Sequence, residues 1–111
     1  MSVKITTDKR GAAIVARVQS DTLETENVGL FRTAIGPVME QSDDVVLDLS
    51  DINFMDSTGL GAMLSCLRLM KAKGGSLKVA SLTPEVRRLF DMVMMDRVFE
   101  VYPSVDAAFS N

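Results

Sequence analysis

The sequence predicts an α/β fold: a mixed β-sheet that starts with an N-terminal hairpin and packs against α-helices. Three observations carry this. Short runs of β character alternate with longer stretches of helical periodicity, the order in which βα units are written. The first two strand-like runs lie too close together for a parallel crossover, so they must form a hairpin. Glycine and proline mark helix ends and starts at Gly74-Gly75 and at Thr83-Pro84.

The elements follow in order. Val3–Thr7 alternates apolar and polar residues as a half-buried strand does, Lys9-Arg10-Gly11 reads as a turn, and Ala12–Val18 is the returning strand. Between Glu24 and Gln41, Val28, Phe31, Ile35 and Val38 recur at helical spacing. Pro37 cannot donate to the carbonyl of Thr33 and clashes with it, so a kink or break is expected there. Val45–Leu49 is a strand with Asp48 on the face opposite Val45, Leu47 and Leu49. A helix then runs to about Ala72, with Leu60, Met63, Leu64, Leu67 and Met70 on one face. Ser76–Leu82 is the next strand. Thr83 is expected to cap a further helix with Pro84 at its first position and Val86, Leu89, Phe90 and Val93 as its buried stripe. Val98–Tyr102 reads as a last strand, and Ser104 as the cap of a short terminal helix ending near Phe109.

Length and composition set limits on function. A chain of 111 residues predicts one domain, 1–111, with a single core. The net charge of −3 argues against a nucleic-acid surface, which needs clustered Lys and Arg. No apolar run approaches the ~18 residues of a membrane span and no signal peptide is recognised, so a cytoplasmic protein without membrane insertion is expected. Cys66 is the only cysteine and histidine is absent. Histidine ligands, Ser-His or Cys-His nucleophile pairs and a disulfide framework are therefore excluded. Gly59-Leu60-Gly61 is no dinucleotide fingerprint, because Leu64 stands at the third glycine position, and no Walker motif occurs. Neither a cofactor nor a metal is expected, and neither is an enzymatic activity.

Most of the functional information lies in Phe54-Met55-Asp56-Ser57-Thr58-Gly59-Leu60-Gly61, which joins a strand to a helix. A serine at a helix N-terminus can cap it by accepting a backbone N–H bond. It can equally be offered to an outside kinase, because the neighbouring glycines have no side chains to shield it. Two glycines in a first helical turn lower helix propensity and suggest a close approach of another backbone.

With its flanks from Val45 to Gly61, and with Lys73-Gly74-Gly75, Thr83–Phe90 and Arg97–Tyr102, this stretch resembles the core of STAS domains. In particular it resembles those of bacterial anti-sigma factor antagonists. The resemblance is close over about 43–109 and loose before that. It implies a STAS fold, phosphorylation of Ser57, and acids at Asp48 and Asp56 that present the serine or shape a docking surface. Asp21, Glu24, Thr58, Gly59 and Gly61 are the further candidate contact residues. The partners it implies are a serine-kinase anti-sigma factor, captured while Ser57 is unmodified, and a serine phosphatase; a homodimer is left open. The bland reading of Asp48 and Asp56, acids making backbone hydrogen bonds, stands beside the functional one.

The chain departs from the family pattern twice. Ser20-Asp21-Thr22-Leu23-Glu24 replaces the usual Gly-Glu-Leu-Asp, in a loop expected beside the serine. Met94 stands where a glycine often follows the third helix, so that helix is expected to end differently. Met92, Met94 and Met95 cannot all face inward and suggest an adaptable contact surface. Two other functions compete with this one. A STAS scaffold, or a component of a lipid-transport complex, would use the same fold without the switch. A response-regulator receiver phosphorylated on Asp48 fails. Asp8-Lys9-Arg10-Gly11 is a hairpin turn where an acidic pair is needed, and Val101-Tyr102-Pro103 lacks the lysine.

Overall fold

A computed structural model of the chain describes residues 2–110. β1 (Lys4–Arg10) and β2 (Ala13–Gln19) form the antiparallel hairpin. β4 (Asp44–Asp48), β6 (Ser76–Ala80) and β7 (Val101–Tyr102) add to β2 in parallel, in the order β1-β2-β4-β6-β7. The parallel strands are linked through α1 (Val28–Gln41), α2 (Ser57–Ala72) and α3 (Pro84–Met92). A second sheet of two residues per strand pairs β3 (Thr22–Leu23) in parallel with β5 (Phe54–Met55). The mixed sheet with helices packed against it is the architecture that the sequence predicts.

Strand alternation decides which side chains enter the core. Ile14, Ala16 and Val18 of β2, Val45 and Leu47 of β4, and Leu77 and Val79 of β6 pack under the helices, against Phe31, Ile35, Met63, Met70 and Phe90. The intervening Val15, Val46 and Ala80 face the other way. A short 3₁₀ turn (Asp106–Phe109) covers them with Ala108, supported by Tyr102 and Val105. Ser104 Oγ accepts the N–H of Ala107 at the start of that turn, as expected of a cap. At the far end of α2, Gly74 takes φ +81° and donates to Lys71 while Gly75 donates to Met70, a Schellman closure.

Several local expectations need correction. β1 continues to Arg10, and the hairpin turn is Gly11-Ala12, with Gly11 at φ +61°. α1 runs from Val28 to Gln41 with Pro37 inside it, so the break allowed for there does not occur, and Ile35 and Val38 on either side are both buried. Thr83 does not cap α3 with its side chain; its hydroxyl donates instead to the Ile52 carbonyl at 2.6 Å. Val93 is 41 % exposed, outside the buried stripe of α3. A 3₁₀ turn (Met95–Arg97) occupies the approach to β7, which is shorter than predicted. α3 does end in the left-handed way: Met94 itself adopts φ 61°, ψ 32° and donates to Asp91. That conformation costs a non-glycine residue about 1 kcal/mol.

Candidate functional site

The site is built where β5 meets α2. Asp56, in extended backbone, is the N-cap of α2, and its Oδ1 accepts the Gly59 N–H at 2.9 Å. Ser57 is therefore the first helical residue and not the cap, which removes one of the two readings open from sequence. Its side chain is exposed, and no hydrogen bond to its hydroxyl is found among the described residues.

Asp56 also ties this turn to the loop before α1. Its Oδ2 accepts both the N–H and the hydroxyl of Thr25, each at 3.1 Å, and Thr25 Oγ1 lies 2.9 Å from Thr58 Oγ1. The Gly59 N–H, then the two Thr25 donors and the Thr58 N–H, hold the Asp56 carboxyl below its ordinary pKa against partial desolvation. One turn of helix thus carries a fully engaged carboxylate and, beside it, an unengaged hydroxyl.

Gly59 has a steric reason to be glycine. A Cβ there would stand 2.3 Å from the carbonyl oxygen of Leu23, which accepts the Asp56 N–H. Gly61 has none, for nothing lies within 4 Å of its hypothetical Cβ. The close backbone approach suggested for both glycines holds at the first only. Gly61 stands one turn after Ser57 on the same helix face, leaving that face bare.

The Ser20–Glu24 loop lies against this turn, as expected. Asp21 receives Asn53 twice, at its carboxylate and at its carbonyl, both at 2.8 Å. Asn27, buried, knots the loop by donating to the Thr22 carbonyl and accepting the Glu24 N–H. The Glu24 side chain makes no hydrogen bond among the described residues, so of the displaced acids only Asp21 is fixed. Asp48 belongs to β4, not to the serine turn. It ends β4 opposite Arg17, accepts the Ser50 N–H at 3.0 Å, and has no hydrogen bond to Asp56 or Ser57 among the described residues. That bond is of the backbone kind expected of a strand-end acid.

Beside β5, Phe54 is 51 % and Met92 73 % exposed, and with Asn53, Leu89 and Arg88 they border a hollow of about 200 Å³. Met94 is exposed too, whereas Met95 packs on the core. Sequence reading missed Thr25, Asn27 and Asn53. Asn27, just before a helix, carries a turn signal; nothing in the sequence marks Thr25, whose partner is 31 residues away.

The STAS domain family matches residues 4–108, nearly the whole chain. The chain belongs to the STAS domain family. This STAS chain is 32% identical over 79 residues to the anti-sigma-B factor antagonist of Bacillus subtilis, covering 71% of the chain and 72% of that protein. It is 28% identical over 104 residues to the anti-sigma F factor antagonist of Paenibacillus polymyxa, covering 92% and 88%. Among solved structures, a putative anti-sigma factor antagonist from Thermotoga maritima superposes with a TM-score of 0.82 at 21% identity, over 94% of this chain and 90% of that one, which shows the shared fold. No helix among the described residues is long and apolar enough to cross a membrane.

Proposed function

We propose that this chain is an anti-sigma factor antagonist, a single STAS domain over 1–111 switched by phosphorylation of Ser57. Unmodified, it captures a serine-kinase anti-sigma factor and so regulates transcription indirectly. The kinase phosphorylates it and is released, and a serine phosphatase restores the binding form. The chain has no catalytic role of its own and works in the cytoplasm.

The observation that carries the reading is that Ser57 is exposed and relieved of capping by Asp56. Its hydroxyl can be consumed without unmaking the helix start. In the reaction, Ser57 Oγ forms a bond to the γ-phosphorus of ATP as the β–γ bridge breaks; ADP leaves and the hydroxyl proton passes to a base of the kinase. The phosphate adds about −1.5 to −2 charges at the positive end of α2, where the dipole tolerates them. In a partner interface the same charge has to be desolvated, so the complex weakens while the fold survives. The names of the Bacillus and Paenibacillus relatives support the antagonist role. Bare Gly61 and the exposed Phe54 and Met92 support a docking surface around the serine.

Incubation with the anti-sigma kinase and ATP, followed by fragmentation of the peptide spanning Asn53 to Arg68, tests the reading. One phosphate on Ser57 is expected. Phosphate on Asp48, or none, would reject it.

A further inference from the structure

Thr25 Oγ1 stands between two oxygens, 3.1 Å from Asp56 Oδ2 and 2.9 Å from Thr58 Oγ1, and it has one proton to give. An ionised carboxylate only accepts, and it makes the stronger, charge-assisted bond, so the proton goes to Asp56. Thr25 Oγ1 then faces Thr58 as an acceptor only. Thr58 must donate its own proton into that bond, and the directions Thr58 to Thr25 to Asp56 are set by the carboxylate at the end. Ser57, one residue earlier, has no such partner among the described residues and is exposed, whereas Thr58 is half-buried.

A hydroxyl that accepts a phosphoryl group from a nucleoside triphosphate gives its proton to a base as its oxygen–phosphorus bond forms, the β–γ bridge breaks and the diphosphate leaves. The Thr58 proton already points at Thr25. To react, Thr58 has first to break that bond and rotate away, whereas Ser57 breaks nothing. We infer that Thr25 selects the acceptor: by holding the Thr58 hydroxyl it directs phosphoryl transfer to Ser57. Thr25 is a positioning residue, acting through Thr58 and Asp56. This deepens the phosphorylation switch proposed above and rests on it.

The test compares wild type with Thr25→Val, which keeps the branched shape and the backbone N–H to Asp56, and with Thr25→Ser, which restores the hydroxyl. Each is incubated with ATP and the anti-sigma kinase, and phosphate is assigned to Ser57 or Thr58 by fragmentation. Wild type and Thr25→Ser should carry phosphate on Ser57. In Thr25→Val the rate at Thr58 should rise roughly twofold to twelvefold, the factor that one released neutral hydrogen bond provides. An unchanged Thr58 rate, with Ser57 labelled in all three, would overturn the inference and leave the switch standing. No phosphate on wild-type Ser57 would overturn both. Thermal melts establish that the variants fold, with Thr25→Ala as the substitute if valine is not accommodated. A second readout needs no kinase: the Thr58 hydroxyl proton, followed by NMR, should exchange faster in Thr25→Val than in wild type. Equal exchange in the two would refute the hydrogen-bond order on which the inference depends.

Discussion

The carbonyl oxygen of Leu23 lies 2.3 Å from the point where a Cβ on Gly59 would sit. Because that oxygen also accepts the Asp56 N–H, it cannot retreat without loosening the N-cap of α2. Gly59→Ala should therefore destabilise the fold by about 1–3 kcal/mol, the usual range for overpacking, despite alanine's better helix propensity. Gly61→Ala, with open space around it, should instead stabilise by up to about 1 kcal/mol. Urea unfolding of both variants checks the opposite signs. Equal effects would mean that the Leu23 approach is not what the first glycine serves.

Asp56 should give the fold a distinct acid dependence. Its pKa is lowered in the folded state, so its contribution is complete above the unfolded aspartate value of ~3.9 and is lost as pH falls through the lower folded value. The melting-temperature advantage of wild type over Asp56→Asn should be constant near neutrality and shrink below about pH 4. A gap that persists unchanged into strong acid would show that the charge of Asp56 contributes nothing.

Ser57→Ala should leave stability within about 0.5 kcal/mol of wild type, since an exposed side chain with no capping bond is removed. Asp56→Ala should cost about 0.5–2 kcal/mol, the usual loss for an N-cap. Chemical denaturation of the pair distinguishes which residue starts the helix. A larger loss at Ser57 would reverse the assignment.

Met94→Gly should stabilise the chain by about 1 kcal/mol, because glycine takes a φ of 61° without the Cβ penalty. Since Met94 is 55 % exposed, little packing is lost to offset the gain. A drop in melting temperature would mean that its side chain makes a contact that outweighs the strain.

Much of this was legible in the chain. Val45–Leu49 read as a strand, and the motif from Asp56 to Gly61 marked both the helix start and the family; burial of Val46 on the second face emerged only in the structure. The parts that escaped are non-local or too short to have a period. β3 and β5 hold two residues each, below any alternation signal, yet they bring Leu23 against Gly59 and Thr25 against Asp56. The sequence reading offered only the serine as a cap; aspartate is about as good a cap, and the extended backbone of Asp56 and its bond to Gly59 give it that place. The left-handed Met94 was misjudged because a penalty of about 1 kcal/mol is small enough for a non-glycine residue to carry at a helix end.

The most direct test of the switch is a calorimetric titration of the anti-sigma kinase with the unmodified chain and with the chain phosphorylated on Ser57. An uncompensated charge in the contact costs about 2–5 kcal/mol, so the phosphorylated form should bind roughly 30-fold to several-thousand-fold more weakly. Its melting temperature should stay close to that of the unmodified form, because the helix dipole accepts the phosphate. Equal affinities for the two forms would place Ser57 outside the contact surface, contradict the switch, and favour a STAS scaffold that phosphorylation does not control.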